Sequence, residues 1–248
     1  MDIFFNPLAG ILEILLPDQT KTAPAQGFCA WLRDKFIKSS APPAWADEFE
    51  GPDIDSKWTL LPMSASGTAA ISDGKLDFFV DGPTDGANAY MGLYQAETEV
   101  SYPLTIEAAV ECPGYNDQVS GSGFALYAFH GGAIAEGLQS GALSNSAGIL
   151  WLAGGWIQAR SFDGDGNSNK YDPVSYTYGG SILLRISIDA AGSVSLSYKG
   201  AQDADFASLN LAPNTPSFSG ASTIDIFLQA ESKVNDAAHH WLVDRIGN

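Results

Sequence analysis

The chain has 248 residues, with 29 acidic against 12 basic side chains and a formal charge of −17. The basic residues are few and scattered, which excludes nucleic-acid binding by phosphate neutralisation and argues against an anionic membrane surface. A hydrophobic content of 45%, with 26 glycines and 13 prolines, fits one large domain of short strands joined by turns, plus a small appendage.

Residues 1–40 differ from everything after them. Asn6-Pro7 before LAGILEILL reads as an N-cap and a first-turn proline, predicting a short helix that Pro17 ends. A second helical pattern runs through GFCAWLRDKFIKS, where Phe28, Trp31, Leu32 and Phe36 recur at spacings of three and four. Phe4, Phe5, Leu8, Ile11, Leu12, Leu15, Leu16, Phe28, Trp31 and Phe36 give this arm far more apolar surface than it can bury alone. Two readings stay open. Either the arm covers the main domain, or it anchors the chain in a partner subunit or larger assembly. Residues 41–46, entered through SSAPP, read as a linker. No apolar run reaches the ~18 residues a membrane-spanning helix needs. Asp2 and Glu13 spoil a secretory signal. Cys29 and Cys112 could form a bridge, but two buried free thiols fit better.

From Asp47 onward the period becomes two. Runs at 75–80, 89–94, 104–111, 123–129, 149–153, 156–162, 181–189, 194–199, 224–230 and 241–246 read as strands. Leu104, Ile106, Ala108 and Val110 face one way, and Thr105, Glu107, Ala109 and Glu111 the other. Ile182, Leu184, Ile186 and Ile188 repeat the pattern. The stretch GSGFALYAF is apolar on both faces, as in a strand lying between two layers. Turn residues separate the runs, at Asp73-Gly74, Asp189–Gly192 and Asp163–Asn167. The expectation is an all-β, two-sheet antiparallel sandwich over residues 47–248, preceded by a helical arm.

Several of these stretches resemble one family. DEFEG at Asp47–Gly51 followed by DIDSKWTL at Asp53–Leu60, the strand GSGFALYAF, the hairpin GWIQARSFDGDGN and the ending HHWLVDRIGN are similar to the concanavalin A-like lectin/glucanase jelly-roll superfamily, which includes laminin-G-like domains. The likeness covers roughly Asp47 to Asn248 and implies a jelly-roll sandwich whose last strand pairs near its first. It implies little about activity, since this fold hosts lectins, glycosidases, adhesion modules and virion proteins.

Laminarinase-type members use Glu, Asp and Glu at alternating strand positions. The nearest matches are Glu107-Ala-Ala-Val-Glu111, with Ala109 in the middle place, and Glu97-Thr-Glu99, with Ser101 in the third. Glu107 and Glu111 would stand ~13 Å apart on a straight strand, whereas glycosidase carboxyl pairs need about 5 to 9.5 Å. On that ground no enzyme is expected. His130, His239 and His240 make no recognisable triad or zinc site, the last two pointing to opposite sides of a strand. Asp163, Asp165 and Asn167 space oxygens as a calcium loop does, but Ser168 and Val174 stand where an EF-hand wants Gly and Glu. A plain hairpin turn accounts for DGDG equally. Calcium is the one candidate cofactor.

The aromatic residues remain. Trp156, Gln158 and Arg160 share one strand face, Tyr127 and Phe129 another, and Tyr90 and Tyr94 a third. Rings of this kind stack on sugar C–H faces while Gln and Arg donate hydrogen bonds; core packing is the competing account. The function expected from the sequence is a non-enzymatic display protein of a larger, homo-oligomeric assembly. A virion component such as a phage head or tail decoration, spike or fibre fits, anchored by its arm and presenting a polysaccharide-binding sandwich. A free lectin-like module is the alternative, and a glycoside hydrolase ranks below it.

Overall fold

The structure is a computed structural model. It describes residues 2–6, 11–15, 43–62, 67–81, 89–113, 122–130, 145–152, 155–163, 168–176, 180–212, 214–232 and 239–248. The chain divides into two compact units, Met1–Ala41 and Pro42–Asn248.

In the first unit β1 (Asp2–Asn6) pairs antiparallel with β2 (Ile11–Leu15), placing Asp2 opposite Leu15 and Asn6 opposite Ile11. A hairpin thus replaces the helix expected after Pro7. Four residues including Pro7 and Gly10 separate the strands in sequence, and both suit a turn. Ile11 and Ile14 are β-branched and favour a strand, and so short a helix would be marginal by itself. Leu8, Leu16, Phe28, Trp31, Phe36, Cys29 and the second helical pattern lie outside the described residues. The expected linker is shorter than 41–46, because Trp45 is buried in the core of the second unit.

The second unit contains β3 (Thr59–Pro62), β4 (Gly67–Ser72), β5 (Lys75–Val80), β6 (Ala89–Glu99), β7 (Leu104–Glu111), β8 (Gly123–Phe129), β9 (Ser146–Leu152), β10 (Trp156–Phe162), β11 (Ser168–Lys170), β12 (Val174–Ser175), β13 (Ser181–Ile188), β14 (Val194–Gly200), β15 (Ala207–Leu209), β16 (Thr223–Ser232) and β17 (His239–Gly247). No helix occurs among the described residues. One sheet runs β15-β14-β13-β7-β17-β5-β4. The other runs β11-β10-β9-β8-β16-β6-β3, with β12 also on β10. We call these the first and second sheets. Every pairing is antiparallel.

The alternation seen in sequence sets the inner faces. Leu104, Ile106, Ala108 and Val110 of β7 and Ile182, Leu184, Ile186 and Ile188 of β13 are buried, and their odd-numbered neighbours are not. They meet Phe124, Leu126, Ile149, Trp151, Ile226 and Leu228 of the second sheet in one core. Trp151 and Trp241, from opposite sheets, meet edge to face with ring centroids 5.2 Å apart.

The opening motif is a clasp. Asp47 bridges to Ile246 of β17 through two 2.8 Å backbone hydrogen bonds, so the domain's start and end close on each other. Its Oδ1 accepts from Phe49 N and its Oδ2 from Trp58 Nε1, both at 2.8 Å, while Lys57 Nζ sits 3.3 Å from Oδ2. The acid, the lysine and the indole of DEFEG…DIDSKWTL therefore form one polar knot above the buried Phe49 and Trp58 rings.

Cys112 is a buried free thiol whose pKa is pushed up to about 12 by burial. A group with a raised folded pKa stabilises the fold fully below its unfolded value, ~8.5, and loses that contribution as pH climbs toward the folded one. Unfolding free energy is expected to fall between about pH 9 and 11, and to fall less steeply in Cys112→Ala. Equal slopes in urea titrations of the two proteins would reject this account.

Candidate functional site

The second sheet buries residues on both faces. Every residue of β8 is buried, and so is all of β16 from Ile224 to Ser232. One face belongs to the main core. The other carries a second apolar cluster of Ala125, Tyr127, Phe129, Leu150, Phe162 and Phe227, with Leu61, Tyr94 and Leu152 partly buried against it.

Strand register organises this outer face into rows, because cross-strand partners point to the same side. One row reads Tyr90, Glu231, Gly123, Leu152, Trp156. The next reads Leu61, Gly92, Gln229, Ala125, Leu150, Gln158. A third reads Thr59, Tyr94, Phe227, Tyr127, Gly148, Arg160, Lys170. The three separate aromatic faces of the sequence are thus one face. Tyr90, Tyr94, Tyr127, Phe129, Trp156, Gln158 and Arg160 all stand on it.

Their exposures differ. Tyr127 and Phe129 are buried, their rings packed on each other and on Phe227 at centroid distances of 6.0–6.3 Å. They form the floor. Tyr90, Tyr94, Gln158 and Arg160 are half-buried, and Trp156 is 42% exposed. Gln158 is fixed from beyond β11: its Nε2 donates to the Tyr171 carbonyl at 2.9 Å, and the Tyr171 N–H bonds Ala159 O. Gly148 allows the floor to form, since a Cβ there would strike the Tyr127 ring and come within 2.6 Å of Leu126 O.

A charged network crosses the floor. The Arg160 guanidinium hydrogen-bonds the Tyr127 side chain, with Glu231 and Tyr90 close enough to act on both electrostatically. Burial raises the pKa of the Tyr127 phenol despite the nearby Arg160. Burial alone would lower Arg160, but the Tyr127 oxygen and Glu231 outweigh it and raise its pKa.

Glu231, Gln229 and Asp225 are functional candidates that the sequence reading passed over. The run at 224–230 stops one residue short of Glu231, and the polar positions of β16 read as a wetted face. They are in fact buried polar groups, at 9%, 7% and 8% exposure. Buried polar side chains, against the alternation rule for a solvated strand, were the available signal.

The remaining candidates lie elsewhere. Glu107 and Glu111 are on the first sheet: Glu107 pairs with Arg185, and Glu111 with Lys75 at 2.8 Å. His239 is buried and His240 exposed, on opposite sides of β17 as expected. His240 Nδ1 lies 2.9 Å from Asp77 Oδ1. Asp163 follows β10 directly, and the connection to β11 spans the DGDGN residues, with Phe162 opposite Ser168. Asp165 and Asn167 lie outside the described residues. Among the described residues no group of three His, Cys, Asp or Glu side chains could hold a metal ion.

No family model matches the chain, and no curated protein sequence matches it. Solved structures do. A β-1,3-glucanase from Mycobacterium marinum aligns at 18% identity and TM-score 0.52, over 84% of this chain and 99% of that one. A single-residue variant of the Emp46p carbohydrate recognition domain aligns at 15% identity and TM-score 0.54, over 82% and 94%. A family 16 glycosyl hydrolase from Mycobacterium smegmatis aligns at 17% identity and TM-score 0.52, over 83% and 99%. The second unit is a concanavalin A-like jelly roll. This jelly roll is shared by carbohydrate-binding and carbohydrate-cleaving proteins alike. The expectation of a non-enzyme is overturned here: hydrolases have this architecture, and the exclusion rested on Glu107, Glu111, Glu97 and Glu99 while leaving Asp225 and Glu231 uncounted. The comparisons lend no support to a virion component or to an assembly partner.

Proposed function

We propose that the outer face of the second sheet binds a polysaccharide laid across its strands. The observation that carries this reading is convergence. Rings and hydrogen-bonding side chains from β6, β8, β10 and β16, spread over 140 or so residues of sequence, stand on one face in adjoining rows. Trp156 supplies an exposed ring at the end of the first row and Tyr90 a half-buried one at the other end, with Gln158 in the next row and Arg160 in the third. An apolar ring next to forked donors suits a sugar, which is apolar on its faces and polar at its rim.

Affinity electrophoresis against neutral and acidic polysaccharides is expected to retard the protein with at least one of them. Trp156→Ala should bind that polysaccharide about tenfold more weakly, the equivalent of ~1.4 kcal/mol. Equal retardation of the variant, with an unchanged circular dichroism spectrum, would sink the assignment of Trp156.

A hydrolytic reading is favoured by one specific placement. Glu99 faces Thr223 across the β6–β16 pair, and Asp225 follows two residues on, so the two carboxylates are diagonal neighbours on this face. Diagonal positions of a regular ladder lie about 7–8 Å apart at the backbone; a register shift falls between Ile224 and Ile226 here, and glycosidase carboxyl groups stand about 5–9.5 Å apart. Asp225→Asn separates the readings: it abolishes release of reducing ends if Asp225 is a catalytic residue and leaves binding in place.

A further inference from the structure

Arg160 is the unusual charge on this face. Among the described residues Lys75 sits on Glu111, Arg185 on Glu107 and Lys57 on Asp47, while Lys199 donates to the backbone carbonyl of Ala204; on the outer face of the second sheet the cation beside the aromatic floor is Arg160. Arg160 has no carboxylate oxygen within 4 Å among the described residues. Glu231 acts on it electrostatically without forming such a pair. Its hydrogen bonds go to Tyr127 and, at 3.4 Å, to Gln158 Oε1. A guanidinium has five N–H donors, so donors remain on this half-buried group for a ligand.

Lys170 makes the arrangement more pointed. It is the direct cross-strand partner of Arg160 in the β10–β11 pair. Like charges directly opposite one another destabilise a sheet. This chain has 29 acids and only 12 bases, so a carboxylate opposite Arg160 would be the ordinary solution. Two cations on neighbouring strands, two rows along β10 from the exposed Trp156 ring, make this end of the face complementary to an anion attached to a sugar chain that also reaches the ring.

We propose that this end of the face selects an acidic polysaccharide, whose carboxylate or sulfate group docks on Arg160 with Lys170 beside it. The inference rests on the polysaccharide-binding reading above and names its ligand class. Planar, forked donation by arginine suits either oxyanion. The chain's overall charge of −17 repels a polyanion at long range, but at physiological salt such repulsion is screened beyond about 8 Å. Contact chemistry at Arg160 therefore decides.

The test compares laminarin (neutral), alginate (carboxylate) and carrageenan (sulfate) with the full chain at physiological salt. At least one acidic polymer is expected to bind about tenfold or more tightly than laminarin, and which one it is identifies the anion. Arg160→Gln should remove the difference in affinity between that polymer and laminarin, both measured on the variant. Should Arg160→Gln fail to fold, Lys170→Gln at the exposed position is expected to weaken acidic binding alone, by a few-fold. Laminarin binding as tightly as both acidic polymers, or acidic preference persisting in folded Arg160→Gln or undiminished in Lys170→Gln, would overturn the inference. Failure of all three polymers to bind would instead remove the polysaccharide reading beneath it.

Discussion

Trp241→Ala is expected to remove about 3–5 kcal/mol of stability, the range for deleting a large buried aromatic. Domains of this kind hold only about 5–15 kcal/mol in total, so the variant stands near the edge of folding. The reason is position. Trp241 lies on β17 of the first sheet, opposite Phe78 of β5, and meets Trp151 and Phe124 of the second at 5.2 and 6.1 Å. Alanine there leaves a cavity at the seam between sheets, where neither sheet can collapse without shifting the other. Trp241→Phe should be much milder. It keeps most of the ring contact and removes an indole N–H that is buried without a partner among the described residues, a group costing about 1–3 kcal/mol. Urea denaturation of the three proteins checks this ordering. A loss below about 1 kcal/mol for Trp241→Ala would mean the seam is not packed as described.

Gly148→Ala is the second large effect, and it reaches the ligand face. The added methyl would meet the Tyr127 ring and, within 2.6 Å, the carbonyl oxygen of Leu126. A side chain can rotate away, but the backbone oxygen belongs to the β8–β9 ladder and cannot. The cost is expected at the upper end of the usual ~1–3 kcal/mol for overpacking. Combining Gly148→Ala with Tyr127→Ala should cost less than the sum of the two, with a coupling of roughly 1 kcal/mol, because the second change removes part of the first one's clash. Simple additivity in thermal or urea unfolding would show that ring and methyl do not meet. Moving Tyr127 also takes a hydrogen bond from Arg160. Gly148→Ala should therefore blunt discrimination between acidic and neutral polysaccharides, an effect a purely distant destabilisation would not produce.

The strands were legible because their chemistry is local. In β7 and β13 each apolar residue has a polar neighbour, so two-residue periodicity alone identifies the buried face. The clasp was legible as a motif, though its reason emerged only when Asp47, Lys57, Trp58 and Ile246 were seen together. The arm was misread at its start. A proline followed by an apolar run serves a helix N-terminus and a hairpin turn equally well, and the choice depends on pairing with a second strand.

The ligand face was half legible. Tyr127, Trp156, Gln158 and Arg160 are recognisable as sugar-binding residue types, but sequence could not say that three faces were one, nor that Tyr127 is a floor and Trp156 a surface. Glu231 and Asp225 were missed because a polar residue alternating with isoleucine has one meaning on a solvated sheet and another on a covered one.

By itself, the sequence determined the all-β class, most strand positions and the jelly-roll likeness, since these follow from periodicity, turn chemistry and short motifs within a few residues of each other. Tertiary structure alone decided which strands are neighbours. It thereby set Arg160 opposite Lys170 and against Tyr127, placed Glu231 in the row of Trp156, and sent Glu107 and Glu111 to the other sheet. The physical reason is that cross-strand partners are fixed by sheet order and register, and both arise from long-range pairing that no local pattern encodes.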